Sequence, residues 1–433
     1  MPPRTIALPT ATALVIANMV GTGVFTSLGF QVPALPAVLP ILTLWIVGGL
    51  VSLCGALCYA EVVAMRPRSG GEYHLLREAY HPLAGFLAGW VSLVAGFAAP
   101  TALAAMAFGK YMVRLGCPYH ETLVATVVIV FIVLVHLAHL GVVEKVLGGL
   151  TLLKVGLILT FIAGALLIVR APSGPEPGLV PRLADMKMVF SGSFAQALVY
   201  VMYAYTGWNG AAYIASEVRD PQRNVPRALI LGTVTVILLY VGLNAAFLYR
   251  APWPELSGKV EVALVAATSI FGERGGWWMG GLIAFGLVSM IAGLTWAGSR
   301  VNQRVGQDFP GLALLAKTNA QGAPHIAVLL QATLALVMLH TGTFDQVLNY
   351  VEALLLVCSM LAVGAVIWLR IRDPHAKRPF RTPLYPLPPL VFIATSVWML
   401  YEMAHQRATE SLWGLVTIAV GVVVYAACRK KGG

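Results

Sequence analysis

Charged residues are scarce in this sequence. Of its 433 residues only 11% are Asp, Glu, Lys or Arg, whereas 58% are hydrophobic, and the mean hydropathy is +0.80. A soluble domain carries roughly a quarter charged residues, because its surface must face water. The shortage of charge therefore excludes a soluble globular fold. A lipid bilayer must be the solvent for most of the chain.

Cysteine is scarce too, and its five positions are scattered: Cys54, Cys58, Cys117, Cys358 and Cys428. Their spacing matches neither a metal-ligand pattern nor a disulfide framework. The apolar runs also lack a nucleophile–base pair, clustered carboxylates and a metal constellation. An intramembrane enzyme is therefore the weaker alternative, and we expect no enzymatic activity, no metal and no cofactor.

Twelve apolar runs are each long enough to cross a membrane, which takes about 20 residues. They lie at about 8–32, 36–62, 82–108, 122–141, 146–169, 190–215, 226–249, 277–299, 325–341, 343–369, 386–404 and 411–428. The sequence thus predicts an all-α integral membrane protein with both termini on one side. No loop is long enough to form a soluble domain.

The distribution of basic residues predicts which side that is. With a cytoplasmic N-terminus, 19 Lys and Arg fall on the cytoplasmic side and 9 on the other. This bias places both termini in the cytoplasm and the chain in the cell's inner (plasma) membrane. The net charge of +11 arises from these short loops, so we expect lipid and not nucleic acid as its partner.

The first run is weakened at its middle. It reads Val20-Gly21-Thr22-Gly23-Val24, and glycine costs a helix about 1 kcal/mol relative to alanine. The sixth run contains a similar stretch, Tyr203-Ala204-Tyr205-Thr206-Gly207-Trp208. Runs one and six are equivalent if the chain consists of two five-helix halves plus two more helices. Interrupted segments at matching positions of two halves indicate a transporter site, although glycines that permit close helix packing are the alternative.

Such breaks suit a zwitterionic ligand. The exposed N–H groups near Thr22 and Gly23 can hold a carboxylate. Carbonyl groups from Ile16 to Met19, including Ala17, and that of Tyr203 can hold an ammonium group. Neither break contains an ionised side chain. The candidate substrate-binding residues are Ile16, Ala17, Val20, Gly21, Thr22, Gly23, Tyr203, Ala204, Tyr205, Thr206, Gly207 and Trp208.

These stretches resemble signatures of the amino acid–polyamine–organocation (APC) superfamily. The first is Gly21–Phe25, the second is 68–73 in the first cytoplasmic loop, and the third is Tyr203–Asn209, which leads into Ser216–Arg227. The likeness covers roughly residues 8–385 and is closest to bacterial permeases of the L-amino-acid-transporter type. The loop at 66–81 is left open as either an amphipathic segment or a plain solvated loop.

The resemblance implies the inverted-repeat fold of the leucine-transporter type, with alternating access and secondary transport of amino acids. Repeat one would cover about 8–170 and repeat two about 190–371, with two extra helices at about 386–428, in a single transmembrane domain of residues 1–433. Helices 1 and 6 would be unwound in mid-membrane. Tyr203 matches the family's aromatic residue that closes over the substrate.

Two ionisable residues lie well inside apolar runs, where such residues are functional candidates by default. In the family, a lysine at the place of Lys154 stands in for a sodium ion and bridges the first helix near Gly21 to the eighth. Ser289 is the candidate partner on that helix. Glu352, in the tenth run, has three open interpretations: a solvated carboxylate of an outer vestibule, a bias on substrate charge, or a proton site.

The resemblance and the uncharged breaks together predict a sodium-independent carrier of small neutral L-amino acids, by exchange or proton-linked uptake. A polyamine or amine-metabolite antiporter is the alternative within transport. A nutrient sensor or a channel on a carrier scaffold is the alternative from another class. The sequence does not determine the preferred side chain, the direction of transport, the oligomeric state or the need for a single-span partner subunit.

Overall fold

The computed structural model describes residues 5–68, 70–138, 140–168 and 182–430. Within these ranges the chain is helical apart from short connections and an isolated parallel bridge between Ile6 and Val218. The helices are α1 (Leu8–Met19), α2 (Thr22–Thr26), α3 (Leu28–Ala34), α4 (Val38–Met65), α5 (Gly71–Ala79), α6 (Pro82–Val91), α7 (Ala98–Arg114), α8 (Glu121–Ala138), α9 (Leu140–Leu167), α10 (Gly192–Tyr205), α11 (Pro221–Arg250), α12 (Trp253–Leu256), α13 (Val262–Asp308), α14 (His325–Thr341), α15 (Phe344–Arg372), α16 (Leu387–Gln406) and α17 (Ala408–Lys430). The predicted end of repeat one, residue 170, lies outside these ranges.

Many of these helices can cross a membrane. In the described part of the chain, 8 helices are long and apolar enough, or 9 if the pair Ala184–Phe190 and Gly192–Glu217, bent by 72°, counts as one span. Three shorter apolar helices are Leu8–Met19, Leu152–Leu167 and His325–Thr341. The protein is therefore a multi-pass helical membrane protein, and the number twelve stays a prediction.

The eighth predicted run, at about 277–299, lies within α13, which extends from Val262 to Asp308. Gly272 interrupts α13 with φ 77°, a left-handed backbone conformation that glycine adopts without strain. The helical stretch after this kink contains the whole predicted run and continues beyond it to Asp308. Glu273 and Arg274 follow the kink, which is why the apolar run begins after them.

The loop predicted at 66–81 contains a helix, α5. Its apolar residues Leu75 and Leu76 are buried against the protein. Gly71 has φ 57°, and a Cβ there would lie 2.2 Å from the Tyr213 ring. Only glycine lets the start of α5 approach this closely.

The N-terminal segment is tied to the end of the sixth run. The Ile6 N–H donates to the Glu217 carbonyl at 3.1 Å, and the Arg219 N–H donates to the Ile6 carbonyl at 2.9 Å. The start of α1 and the 3₁₀ segment Gly210–Glu217 are thereby held together. The two interrupted runs therefore touch near their ends as well as at their breaks.

Candidate functional site

The first break separates α1 from α2. Helix α1 ends at Met19, where Val20 has extended dihedral angles and its N–H donates to the Ile16 carbonyl. Gly21 is extended as well, with φ −132° and ψ −154°, and α2 begins at Thr22. Ser27 keeps helical angles and its N–H donates to the Gly23 carbonyl, so α2 continues into α3. The N–H groups at the start of this stretch have no partner within the helix.

The second break follows α10, which ends at Tyr205. Thr206 has φ −53° and ψ 141°, and Gly207 has φ +104°, which favours glycine strongly. The chain resumes as a 3₁₀ segment at Gly210. The Thr206 hydroxyl donates to the Met202 carbonyl at 3.1 Å, so it satisfies a carbonyl at the end of α10.

The two breaks contact each other at glycines. A Cβ on Gly23 would lie 2.6 Å from Ala204 Cα, and a Cβ on Gly207 would lie 2.7 Å from the Asn18 carbonyl oxygen. Both clashes are with backbone atoms, which cannot rotate away. Close packing and helix interruption are thus two uses of the same residues, not competing explanations.

Tyr240, on α11, joins the broken ends. Its hydroxyl donates to the Met19 carbonyl at 2.6 Å and lies 3.2 Å from the Ala204 carbonyl, and its side chain is fully buried. A broken helix leaves its last carbonyl groups without helical partners. Tyr240 therefore satisfies a carbonyl at each break. The sequence did not single out this residue.

Several carbonyl groups predicted to hold an ammonium group have protein partners. Ile16 accepts from the Val20 N–H and Tyr203 accepts from the Thr206 N–H at 3.1 Å, while Met19 accepts from Tyr240. Each carbonyl oxygen has a second lone pair, so these bonds leave an accepting site on each oxygen. Ile16 and Ala17 are partly buried.

The aromatic residues of the second break face different ways. Tyr205 donates to the Trp45 carbonyl at 3.0 Å, so its side chain lies against α4. Trp208 packs edge-on to Tyr59 at 5.5 Å and to Phe392 at 6.2 Å. The Trp208 side chain therefore packs between α4 and α16. Tyr203 alone of the three turns towards α2.

Three of the buried polar atoms that lack a hydrogen-bond partner among the described residues come from three different helices. They are Thr22 Oγ1 on α2, the Tyr203 hydroxyl on α10 and Glu352 Oε2 on α15. Thr22 lies beside the Tyr203 hydroxyl, which is also within electrostatic range of Glu352. Buried polar groups are nearly always paired, so such a cluster is a candidate ligand site. Glu352 is only 2% exposed, so it is not a solvated carboxylate in this conformation.

Lys154 lies in a narrow cleft between α9, the first break and α13. Gly21, Phe25 and Met290 line the same cleft, whose volume of about 10 Å³ is too small for an amino acid. A Cβ on Gly21 would lie 2.8 Å from Met290 Cε. The structure thus brings Lys154, Gly21 and α13 together. Ser289 is buried on α13 but does not line the cleft.

Side chains from α3, α10 and α15 pack together on the side of α10 that is remote from the second break. Phe30 stacks on Tyr200 at 5.2 Å and on Phe344 at 5.7 Å. The Tyr200 hydroxyl donates to Asp345, which also pairs with Arg407 at 2.7 Å. Helices α3, α10 and α15 are therefore fastened together on this side of the site.

On the opposite side of the site, the buried carboxylate of Glu72 holds the chain that follows the second break. Asn209, directly after the second break, donates to Glu72 of α5 at 3.2 Å. Burial raises the pKa of Glu72 to about 7, because removing a carboxylate from water disfavours its charge. Its titratable neighbours are Tyr59 on α4, Tyr213 on the 3₁₀ segment and Cys358 on α15. The chain directly after the second break is thus held to α5.

Two interrupted helices that meet inside a multi-pass helical membrane protein are an arrangement found in secondary transporters. Comparison with known families agrees with this class, since the model of the family described as amino acid permease matches residues 6–424. The chain belongs to that family, within the APC superfamily. The predicted resemblance is confirmed, and so is the prediction that the protein is a transporter and not an enzyme.

Individual relatives are distant but match along the whole chain. The sequence is 25% identical to the mouse (Mus musculus) b(0,+)-type amino acid transporter 1, covering 98% of this chain and 87% of the relative. It is 27% identical to the human (Homo sapiens) cystine/glutamate transporter, covering 98% and 84%. It is also 27% identical to the mouse large neutral amino acids transporter small subunit 2, covering 98% and 80%. These relatives support amino acid transport.

Proposed function

We propose that the protein is a sodium-independent secondary transporter of small neutral L-amino acids that works by alternating access. The observation that carries the proposal is the contact between the two breaks. Gly23 lies against Ala204 and Gly207 lies against Asn18, so one ligand placed there meets the free ends of both helices. Transport proceeds by exchange or by proton-linked uptake.

The substrate carboxylate is held at the start of α2. Val20 and Gly21 are extended, so the N–H groups of Gly21, Thr22 and Gly23 are at the beginning of a helix and carry partial positive charge. The Thr22 hydroxyl, buried and without a hydrogen-bond partner in the described chain, is an additional donor. An anion at such a helix end needs no cationic side chain.

The substrate ammonium is held by the carbonyl ends of α1 and α10. These ends carry partial negative charge, and Tyr240 holds the Met19 and Ala204 carbonyls in place. Tyr203, at the last turn of α10, closes over the substrate. Because backbone groups hold both charged ends, the side chain of the substrate is left to face α10, α13 and α15.

Lys154 replaces a sodium ion. Its cleft contacts Gly21 and Met290 of α13, so an ammonium group there can link the first break to the eighth run without a metal. Ser289, one residue before Met290, is the hydroxyl partner we propose on α13 for a conformation in which the cleft widens. Glu352 is the second coupling residue that we propose.

We also propose the number of membrane spans and their orientation. The long helices, the bent pair and the three short apolar helices support twelve spans, formed by two inverted five-helix repeats and two C-terminal helices. With both termini cytoplasmic, the cluster of Phe30, Tyr200 and Asp345 closes the outer side. The Glu72–Asn209 contact then lies on the cytoplasmic side.

Uptake by purified protein in proteoliposomes tests the function. We expect saturable uptake of labelled L-alanine that unlabelled alanine inside the vesicle accelerates, equal in sodium and in choline buffer. A screen of the natural amino acids, with putrescine and spermidine as the polyamine alternative, identifies the preferred side chain. Strong loss of uptake in choline refutes sodium independence, and a linear, non-saturable flux identifies a channel.

A further inference from the structure

A second cavity lies between the end of α4, the helix α5 and the chain that follows α15. Its volume is about 280 Å³, close to the lower end of the range for small-molecule sites, roughly 300–1,000 Å³. One wall is apolar and includes Val62, Leu75 and Leu369, and the rim carries charged side chains. The residues proposed to bind the substrate do not line this cavity, so it is a separate candidate site.

The rim beside α4 holds more positive than negative charge. Arg66 and Arg68 each direct one Nη1 at the Glu78 carboxylate, at 3.4 and 2.9 Å. His74 Nε2 lies 3.0 Å from the same carboxylate. One carboxylate balances only one of the two guanidinium groups. Because the arginine side chains are 60% and 67% exposed and each guanidinium has five N–H donors, both keep donors for a ligand.

The rim beside the chain after α15 adds another cation. Lys377 is exposed and forms no ion pair with a described residue, although Asp373 lines the same cavity. The described lining carries three permanent cations and two carboxylates: Arg66, Arg68 and Lys377 against Glu78 and Asp373. This excess of positive charge favours an anion. Guanidinium groups fit phosphate oxygens especially well, because they can donate two parallel hydrogen bonds.

The position of the rim points to the same kind of anion. Helices α4 and α15 are both long and apolar enough to cross a membrane, and they end at Met65 and Arg372. Arg66 and Lys377 lie just beyond these ends, where spanning helices leave the hydrocarbon and lipid phosphates are found. The apolar wall and the cationic rim match the acyl and phosphate parts of a phospholipid.

We propose that this cavity binds a phosphate group through Arg66, Arg68 and Lys377, supplied by an anionic phospholipid or by a soluble phosphate compound. The bound phosphate links the ends of α4 and α15. It also braces α5, which carries Glu78, and the 3₁₀ segment, whose Ala212 lines the cavity. Phosphate binding does not depend on the proposed transport function, so the two can fail separately.

Equilibrium binding to the purified full chain in a nonionic detergent tests the site. The probes are radiolabelled short-chain phosphatidylglycerol and, separately, radiolabelled glycerol phosphate. At least one should bind saturably, and Arg66→Gln/Arg68→Gln should weaken its binding at least about tenfold, because charge-assisted contacts are lost. The matched control, Arg114→Gln/Arg182→Gln, removes two exposed arginines elsewhere and should bind as the wild type does. The bound probe should also raise the midpoint of thermal unfolding.

The two probes identify the source of the phosphate. Tight binding of glycerol phosphate indicates a soluble compound, whereas binding of phosphatidylglycerol alone indicates a lipid headgroup. The proposal is overturned if neither probe binds saturably, if zwitterionic phosphatidylcholine competes as well as phosphatidylglycerol, or if the arginine double variant binds like its control. Should that variant not fold, Lys377→Gln gives the same test with a loss of roughly fivefold, and unchanged binding by it overturns the proposal.

Discussion

Replacing Gly23 with alanine tests the contact between the two breaks. The new Cβ would lie 2.6 Å from Ala204 Cα and 2.7 Å from Ala204 Cβ, whereas ordinary contacts begin at 3.4 Å. Helices α2 and α10 would have to separate by about 0.8 Å, and neither contact is with a flexible side chain. Overpacking of this kind costs about 1–3 kcal/mol.

The cost falls on the conformation in which the breaks meet, because that is where Gly23 and Ala204 are in contact. A penalty of about 1–3 kcal/mol corresponds to a roughly 5- to 150-fold change in an equilibrium. We therefore expect Gly23→Ala to weaken alanine binding by a factor in this range. Equilibrium binding of labelled alanine to purified protein, followed by uptake in proteoliposomes, measures the effect.

Gly281→Ala is the matched control. Gly281 is on α13, and a Cβ there meets nothing within 4 Å, so the same substitution adds a methyl group in open space and should leave binding unchanged. If Gly23→Ala binds and transports alanine as well as Gly281→Ala does, the breaks do not form the site through this contact. The reasoning about α2 and α10 is then refuted.

Three further substitutions give distinct results. Tyr240→Phe leaves the Met19 and Ala204 carbonyls without their shared donor. We therefore expect the free energy of unfolding to fall by about 1–3 kcal/mol, which lowers the midpoint of thermal unfolding. An unchanged midpoint would contradict this role of Tyr240. Lys154→Gln removes the proposed sodium substitute and should reduce alanine uptake at least about tenfold, whereas near-normal uptake by well-folded protein would exclude it. The Glu72 pKa of about 7 means that the folded state holds a proton that the unfolded state releases near pH 4.5. The free energy of unfolding should therefore fall by up to about 3 kcal/mol between pH 4.5 and 7, and Glu72→Gln should abolish that slope in denaturation curves recorded across this range.

The glycines of the breaks were the most informative part of the sequence. Gly21, Gly23 and Gly207 were singled out because glycine weakens a helix in the middle of an apolar run, and each of them lies in tight contact in the structure. The sequence could not show that Gly23 and Gly207 reach the opposite break. That contact depends on how two distant runs cross, which periodicity does not encode.

Tyr240 and Glu72 show what the sequence could not supply. Tyr240 lies within a long apolar helix, where an aromatic residue is indistinguishable from an ordinary packing residue until its hydroxyl is seen against Met19 and Ala204. Glu72 belongs to a charged loop, and its burial depends on Gly71 fitting against Tyr213. Both roles arise from contacts between residues far apart in the chain.

Trp208 is open to two interpretations from the sequence, since it could line the pocket or anchor helix packing. Its ring packs on Tyr59 and Phe392, and its contact with a substrate stays a prediction. Gly207 has φ +104°, so the regular helical spacing of side chains does not continue from Tyr205 to Trp208. Glu352 was open to three interpretations for a similar reason, because hydropathy does not distinguish a vestibule wall from a sealed pocket.

Blocking the charged ends of the substrate tests the central claim most directly. The account holds that backbone groups at the two breaks bind the α-carboxylate and the α-ammonium. Competition against labelled L-alanine should therefore weaken at least about tenfold for L-alanine methyl ester, which lacks the carboxylate, and for N-acetyl-L-alanine, which lacks the ammonium. If either compound competes as well as alanine does, the breaks do not hold that group and the account is contradicted.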